Sequence, residues 1–122
     1  MRNAINWFEI PAREFDRAVS FYTTILGEAI AVHDFGGQPH GMFPADEGAV
    51  SGAIVAGDGY TPGTDGTTVY LNVEGQIDAV IGRIEGAGGM IFLPKTDIGP
   101  HGFIAILADT EGNKVGLHSM AG

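Results

Sequence analysis

The chain has 122 residues, a net charge of −9 at pH 7 and no cysteine. This length suits one domain that buries a core without staples, and the missing cysteines exclude thiolate catalysis and cysteine-ligated metal centres. The acidic balance repels nucleic-acid phosphate and anionic membranes, so we expect neither as a partner. No apolar run approaches a bilayer span and the N-terminus lacks the apolar core of a signal peptide, so we expect a cytoplasmic protein.

The first half begins with a strand and an amphipathic helix. Residues 4–10 form an apolar run that Pro11 ends, which indicates a strand. From Phe15 onward, apolar residues recur at three- and four-residue steps until Gly27, which suits a left-handed helix cap. Three short strands are predicted next, over residues 29–35, 41–44 and 50–57.

The same order of elements returns in the second half. Residues 58–66 are rich in turn formers and are predicted to be a linker. A strand over 67–74 and a second helical stripe from Ile77 to Ala87 follow. Three further strands are predicted over 90–93, 103–107 and 114–120. The last two form a hairpin, because polar turn formers with a glycine, residues 109–113, stand between them.

We therefore predict an α+β fold built from two βαβββ modules, about 1–57 and 67–122, within a single domain that spans 1–122. One such module covers only one face of its sheet with its helix. Two modules can form a curved mixed sheet around a shared cleft, which is a natural place for a small ligand. A ferredoxin-like two-layer sandwich is the alternative, and it would leave many of eight strands uncovered by two helices.

Two stretches resemble a known family. Residues 8–27 contain the pattern RA..FY...LG, and residues 103–113 end in D..GN. On these motifs the chain resembles the vicinal oxygen chelate superfamily, which contains glyoxalase I, bleomycin resistance proteins and extradiol dioxygenases. The resemblance implies the two-module fold and a homodimer, for which exposed strand edges give a physical reason.

The resemblance also implies where a divalent metal would bind. Superfamily members with known chemistry hold the metal with four inward side chains, usually His or Glu. The corresponding positions here are Trp7, about Ala53, Thr68 and Gly116. None of these is a metal ligand of the usual kind, so we expect no metal cofactor. The alternative is a metal-dependent glyoxalase- or dioxygenase-like enzyme whose ligands lie elsewhere.

Strand alternation extends this placement to candidate ligand-binding groups. Side chains two residues apart share a face, so the cleft that receives Trp7 would also receive Glu9. By the same reasoning, Tyr70, Asn72 and His118 are predicted to line the cleft. His101, in a loop at the mouth of the cleft, is a further candidate for ligand contact. His33 and His40 fall in or beside predicted turns, where solvent exposure is the default.

Glu9 is the candidate catalytic residue, because a carboxylate in an apolar strand loses hydration unless something compensates. Glu9 would act as a general base with a pKa raised by burial, or it would anchor a ligand. The competing interpretation is a carboxylate paired with backbone or an arginine. For His118 an acid–base or ligand-binding role competes with a hydrogen-bonded core or interface histidine.

The sequence thus predicts a small-molecule-binding protein of this superfamily without the usual metal tetrad. Two versions remain open, a metal-independent isomerase or lyase with Glu9 as base and a binder that sequesters a toxic compound. A purely structural or interaction module is a third class.

Overall fold

A computed structural model describes residues 3–122, and in that range two helices and eight strands follow the order βαβββ twice. The first half contains β1 (Trp7–Ala12), α1 (Phe15–Leu26), β2 (Ala31–Phe35), β3 (Gln38–Met42) and β4 (Ser51–Ala56). The second half contains β5 (Tyr70–Asn72), α2 (Ile77–Ile84), β6 (Met90–Asp97), β7 (Phe103–Ala108) and β8 (Lys114–Ser119), with a short 3-10 helix (Gly99–His101) between β6 and β7. The predicted α+β class and the repeated order are confirmed. The division into one domain with a linker at 58–66 stays a prediction.

Each half forms its own four-stranded mixed sheet. Sheet A has the strand order β1-β4-β3-β2, and sheet B has the order β5-β8-β7-β6. In both, the first and last strands of the half run parallel and the remaining pairs are antiparallel. The prediction of one curved sheet therefore becomes two sheets in the described residues. One physical reason why sheet A ends at β1 is that Pro11 has no N–H to donate to a further strand.

The two helices pack against each other and form the centre of the core. The predicted α1 stripe is confirmed, since Ala18, Phe21, Tyr22 and Ile25 are buried. The predicted cap is confirmed as well: Gly27 has φ 71°, and its N–H donates to the Thr23 carbonyl oxygen at 3.1 Å. On α2 the buried residues are Ile77, Val80 and Ile84. Neither helix in residues 3–122 has the length and apolar character to cross a bilayer.

Several strand boundaries differ from the sequence prediction. The turn between β2 and β3 consists of Gly36 and Gly37 alone, whose φ values of 63° and 84° suit a two-residue hairpin. His33 lies within β2, inside the predicted strand 29–35, and it is exposed as expected. His40 lies within β3, so its predicted place outside the strands was wrong. Strand β6 extends through Pro94 to Asp97, which an edge strand with irregular register tolerates.

The turn between β7 and β8 is more than a connection. Asp109, Glu111 and Asn113 are buried, although they are polar turn residues in sequence. The Tyr22 hydroxyl donates to Asp109 Oδ2 at 2.6 Å, and the Asn113 side-chain amide donates to the Pro11 carbonyl oxygen at 2.7 Å. The turn thus joins the second half of the chain to β1 and α1 of the first.

Glu111 caps the start of α1. Its carboxylate accepts hydrogen bonds from the backbone N–H groups of Arg13 at 2.8 Å and Glu14 at 2.7 Å, and from Arg17 Nε at 2.7 Å. Burial raises the pKa of this carboxyl, but the bonds from Arg17, the Glu14 N–H and the Thr110 hydroxyl outweigh it and lower the pKa to about 2. Glu111 therefore stays ionised while it satisfies the helix N-terminus.

Candidate functional site

An open cavity of about 1200 Å³ lies between the first strands of the two sheets, and we call it the inter-sheet cavity. Strands β1 and β4 supply one wall, and β5 with the start of α2 supplies the other. Its apolar lining includes Trp7, Phe8, Leu26, Phe43, Val50, Tyr70, Leu71 and Val80. Its polar lining includes Asn3, Glu28, Ser51, Thr67, Thr68, Asn72, Glu74 and Gln76. A mainly apolar concavity with a few polar groups is typical of small-molecule sites.

Two aromatic side chains of the cavity remain exposed. Trp7 is 42% exposed and Tyr70 is 44% exposed. Tyr70 lies opposite Gly116 on β8, and its ring covers this glycine so closely that a Cβ there would overlap it. The missing side chain at position 116 is thus what allows the Tyr70 ring to lie flat along the strand.

The structure brings some predicted site residues together and separates others. Trp7, Tyr70 and Asn72 line the inter-sheet cavity, and so do their immediate strand neighbours Phe8 and Leu71. The roles of these residues in ligand binding stay predictions. The Asn72 side-chain oxygen accepts a hydrogen bond from the Glu74 N–H at 2.9 Å, which fixes its amide. Glu9 lines a separate, smaller cavity of about 120 Å³ together with Asn113 and Lys114.

Glu9 is exposed, so the burial expected from its apolar strand was wrong. The reason is that β1 is an edge strand whose outer face is only partly covered. The Trp7 indole N–H donates to Glu9 Oε2 at 3.4 Å. The Glu9 carboxylate raises the pKa of Tyr60, because it stabilises the protonated phenol. Whether Glu9 acts as a base stays a prediction.

The contact between Tyr60 and Glu9 was not predicted from the sequence. Tyr60 lies in the stretch that was predicted to be a linker, where it is the single aromatic residue among polar and glycine residues. The Tyr60 hydroxyl lies close enough to the Glu9 carboxylate for the carboxylate to raise the pKa of Tyr60. An isolated aromatic residue in a turn-rich segment was the available signal.

His118 and His101 contact each other. His118 is partly buried on β8, opposite Asn72 of β5, and its Nε2 lies 2.7 Å from the His101 carbonyl oxygen. A carbonyl can only accept, so Nε2 donates this hydrogen bond. Neither histidine lines the inter-sheet cavity, and their roles in ligand contact stay predictions.

The four positions at which the resemblance implies metal ligands do not fit a divalent ion. Trp7, Ala53 and Gly116 offer an indole, a methyl group and a hydrogen atom, and Thr68 offers only a neutral hydroxyl. The Tyr70 ring also occupies the space beside Gly116. Across residues 3–122, no group of three or more His, Asp or Glu side chains is placed to hold a metal ion.

Comparisons with known proteins agree on one family. Residues 4–117 match the model of the Glyoxalase/Bleomycin resistance protein/Dioxygenase superfamily. CFP32 of Mycobacterium bovis, to which a glyoxylase function is ascribed, is 27% identical over 115 residues, 92% of this chain and 44% of that protein. The chain therefore spans less than half the length of the curated relatives that it matches.

Two solved structures illustrate the range of proteins with this fold. TnmS3, an antibiotic binding protein from Streptomyces sp. CB03234, has a TM-score of 0.69 and 22% identity, over 96% of this chain and 95% of its own. The fosfomycin resistance protein FosX from Listeria monocytogenes has a TM-score of 0.67 and 14% identity, over 98% and 92%. At these identities the likeness concerns the fold alone. The match over residues 4–117 is decisive for membership: this chain belongs to the Glyoxalase/Bleomycin resistance protein/Dioxygenase superfamily.

Proposed function

We propose that the protein binds a planar aromatic small molecule, neutral or cationic, in the inter-sheet cavity and sequesters it without a metal. The observation that carries this proposal is the pair of exposed rings, Trp7 and Tyr70, on the lining of one large apolar cavity. Exposed aromatic rings are costly in water and favourable against a flat ligand.

The charge of the cavity supports the choice of ligand. Within residues 3–122, the carboxylates of its lining are Glu28 and Glu74, and the lining includes no Lys, Arg or His. The whole chain carries −9. An anionic ligand would be repelled both during approach and in the cavity, whereas a cation would gain from the carboxylates and from the faces of the aromatic rings.

Sequestration also has support among proteins of the same fold. TnmS3 is described as an antibiotic binding protein, and binding of that kind requires only a complementary cavity. Here the carboxylate predicted to be a base lies outside the inter-sheet cavity. A binder accounts for this placement without assigning Glu9 a chemical step.

Trp7 provides the measurement, because it is the only tryptophan of the chain. Proflavine, a planar aromatic cation, is titrated against the protein while indole fluorescence and heat are followed, with anilinonaphthalene sulfonate as the anionic aromatic probe. We expect saturable one-to-one binding of proflavine and weaker binding of the sulfonate. Trp7→Ala and Tyr70→Ala should each weaken proflavine binding about tenfold, measured by heat, since each removes one stacking face.

Phe92→Ala is the matched control, because Phe92 is an exposed aromatic residue on β6 outside the cavity. Equal effects of the three substitutions would mean that the dye binds exposed rings without a site. Proflavine must also be recovered chemically unchanged after incubation.

A second candidate is a metal-independent lyase or isomerase with Glu9 as base. It is favoured by two interactions of the Glu9 carboxylate: the Trp7 indole N–H donates to it, and it raises the pKa of Tyr60. Glu9→Gln should then abolish turnover of a converted ligand and leave its binding intact. Equal turnover by the two proteins would discard the catalytic version.

We also propose that the chain is a homodimer. Edge strands β2 and β6 present apolar side chains to solvent, among them Val32 and Met90. Covering such edges is a common reason for association. Sedimentation equilibrium should give twice the chain mass of 12.7 kDa, and a mass of one chain at high micromolar concentration would contradict the proposal.

A further inference from the structure

We propose that the β2–β3 hairpin carries a surface site for a late first-row divalent ion, Cu²⁺ above all, formed by the imidazoles of His33 and His40. The two residues stand directly opposite each other in the antiparallel ladder. Side chains of an opposed pair project from the same face, with their Cβ atoms about 5 Å apart. That separation allows two imidazoles to reach one ion.

The turn fixes this pairing. Gly36 and Gly37 adopt the left-handed conformation that a two-residue hairpin requires, and the Gly37 N–H donates to Asp34 Oδ1 at 2.8 Å. The register is therefore set by the turn itself and is independent of any ligand. Once one imidazole binds an ion, the second is already held at high local concentration.

The hydrogen bond of His40 suits a ligand. Its Nδ1 lies 3.0 Å from the Gln38 carbonyl oxygen, and since a carbonyl only accepts, Nδ1 donates this bond. In the neutral imidazole, Nε2 is then the nitrogen that offers a lone pair to an ion. Metal-binding histidines characteristically donate their other ring N–H to a backbone carbonyl, which fixes tautomer and ring orientation.

Phe35 restrains both rings. Its ring centroid is 5.0 Å from that of His40, edge to face, and 6.2 Å from that of His33, nearly parallel. Packing against one aromatic ring limits the rotamers of the two imidazoles and lowers the entropy lost when an ion binds. No other imidazole pair in residues 3–122 stands opposed on neighbouring strands.

The donor set selects the metal. Two neutral nitrogens suit Cu²⁺, Ni²⁺ and Zn²⁺, with Cu²⁺ bound most tightly, and they do not suit Mg²⁺ or Ca²⁺, which prefer oxygen. No third protein ligand completes the group within residues 3–122, so water would fill the remaining positions and the ion would exchange readily. The net charge of −9 favours approach of a cation.

The test is a Cu²⁺ titration of untagged protein in a non-coordinating buffer, followed by calorimetry and electron paramagnetic resonance. We expect one tightest ion per chain with coupling to two nitrogens. His33→Ala and His40→Ala should each weaken that binding by about tenfold or more, because each removes half of the chelate. His101→Ala, which leaves the hairpin intact, should retain the wild-type affinity.

Three results would overturn the proposal. Undiminished affinity in the His33→Ala/His40→Ala double variant would place the ion elsewhere as an adventitious one. Loss in only one single variant would exclude a chelate, and so would coupling to a single nitrogen. Thermal melting of each metal-free variant checks that the hairpin substitutions leave the fold intact, since both side chains are at least partly exposed.

Discussion

The β7–β8 turn and the inter-sheet cavity use polar residues in opposite ways. In the turn, Asp109, Glu111 and Asn113 are buried, and each forms hydrogen bonds with the first half of the chain or within its own turn. In the cavity, Trp7 and Tyr70 keep nearly half of their side-chain surface exposed. The hydrogen bonds of the turn are complete, whereas the cavity keeps exposed aromatic surface that the proposed ligand would cover.

This difference explains why the resemblance was informative about fold and uninformative about ligand. The D..GN motif specifies Asp109 and Asn113, two of the three buried residues of the turn, so residues by which the family is recognised also stabilise the fold. The exposed cavity residues Trp7 and Tyr70 lie outside the buried core and can change without loss of it.

The largest expected effect on the free energy of unfolding comes from a substitution in the β7–β8 turn. Glu111→Ala removes the acceptor for two backbone N–H groups of α1 and for Arg17. We expect the free energy of unfolding to fall by about 3 kcal/mol, because a buried charged acceptor is lost and its donors stay unpaired. Urea denaturation measures it. Glu47→Ala, at an exposed loop position, is the control and should change stability by less than about 0.5 kcal/mol.

Acid should weaken the same cap. The pKa of Glu111 is lowered from 4.5 to about 2, so ionisation of this carboxyl favours the folded state above pH 4.5, and that contribution is lost as pH falls toward 2. The stability difference between wild type and Glu111→Gln should therefore shrink over this interval. Urea midpoints at pH 7, 4.5 and 3 measure it. A constant difference would mean that the network does not hold Glu111 ionised.

The sequence predictions succeeded for features that depend on neighbouring residues and failed for features that depend on the assembled fold. Helix α1 was predictable because its apolar stripe and Gly27 act locally. The turn network was not, since Tyr22 and Asp109 are 87 residues apart and nothing local signals their bond. The predicted burial of Glu9 failed because exposure depends on whether another strand or segment covers β1, and that is a property of the assembled sheets.

The strands beneath the cavity provide a smaller, sharper test. Gly116→Ala adds a methyl group where the Tyr70 ring lies, and we expect a loss of about 1 kcal/mol from that overlap. Tyr70→Ala should remove the penalty, so a double-mutant cycle should give a coupling of similar size. Gly82→Ala, in α2 with open space around it, should instead stabilise the protein. Additive effects of the first two substitutions would contradict the proposed contact.

The smallest expected effect is at Glu9, between the two regions compared. Glu9→Ala should change the free energy of unfolding by less than about 0.5 kcal/mol, because the carboxylate is exposed. It should nonetheless lower the pKa of Tyr60, since the bond to Glu9 is the main cause that raises it. Phenolate absorbance measures this against pH, with Tyr60→Phe to identify the tyrosine that moves. A lower pKa of Tyr60 without a change in stability would show that Glu9 acts on its neighbours and leaves the fold unaffected, as a carboxylate that faces a ligand must. An unchanged pKa of Tyr60 would remove the contact on which the catalytic alternative depends.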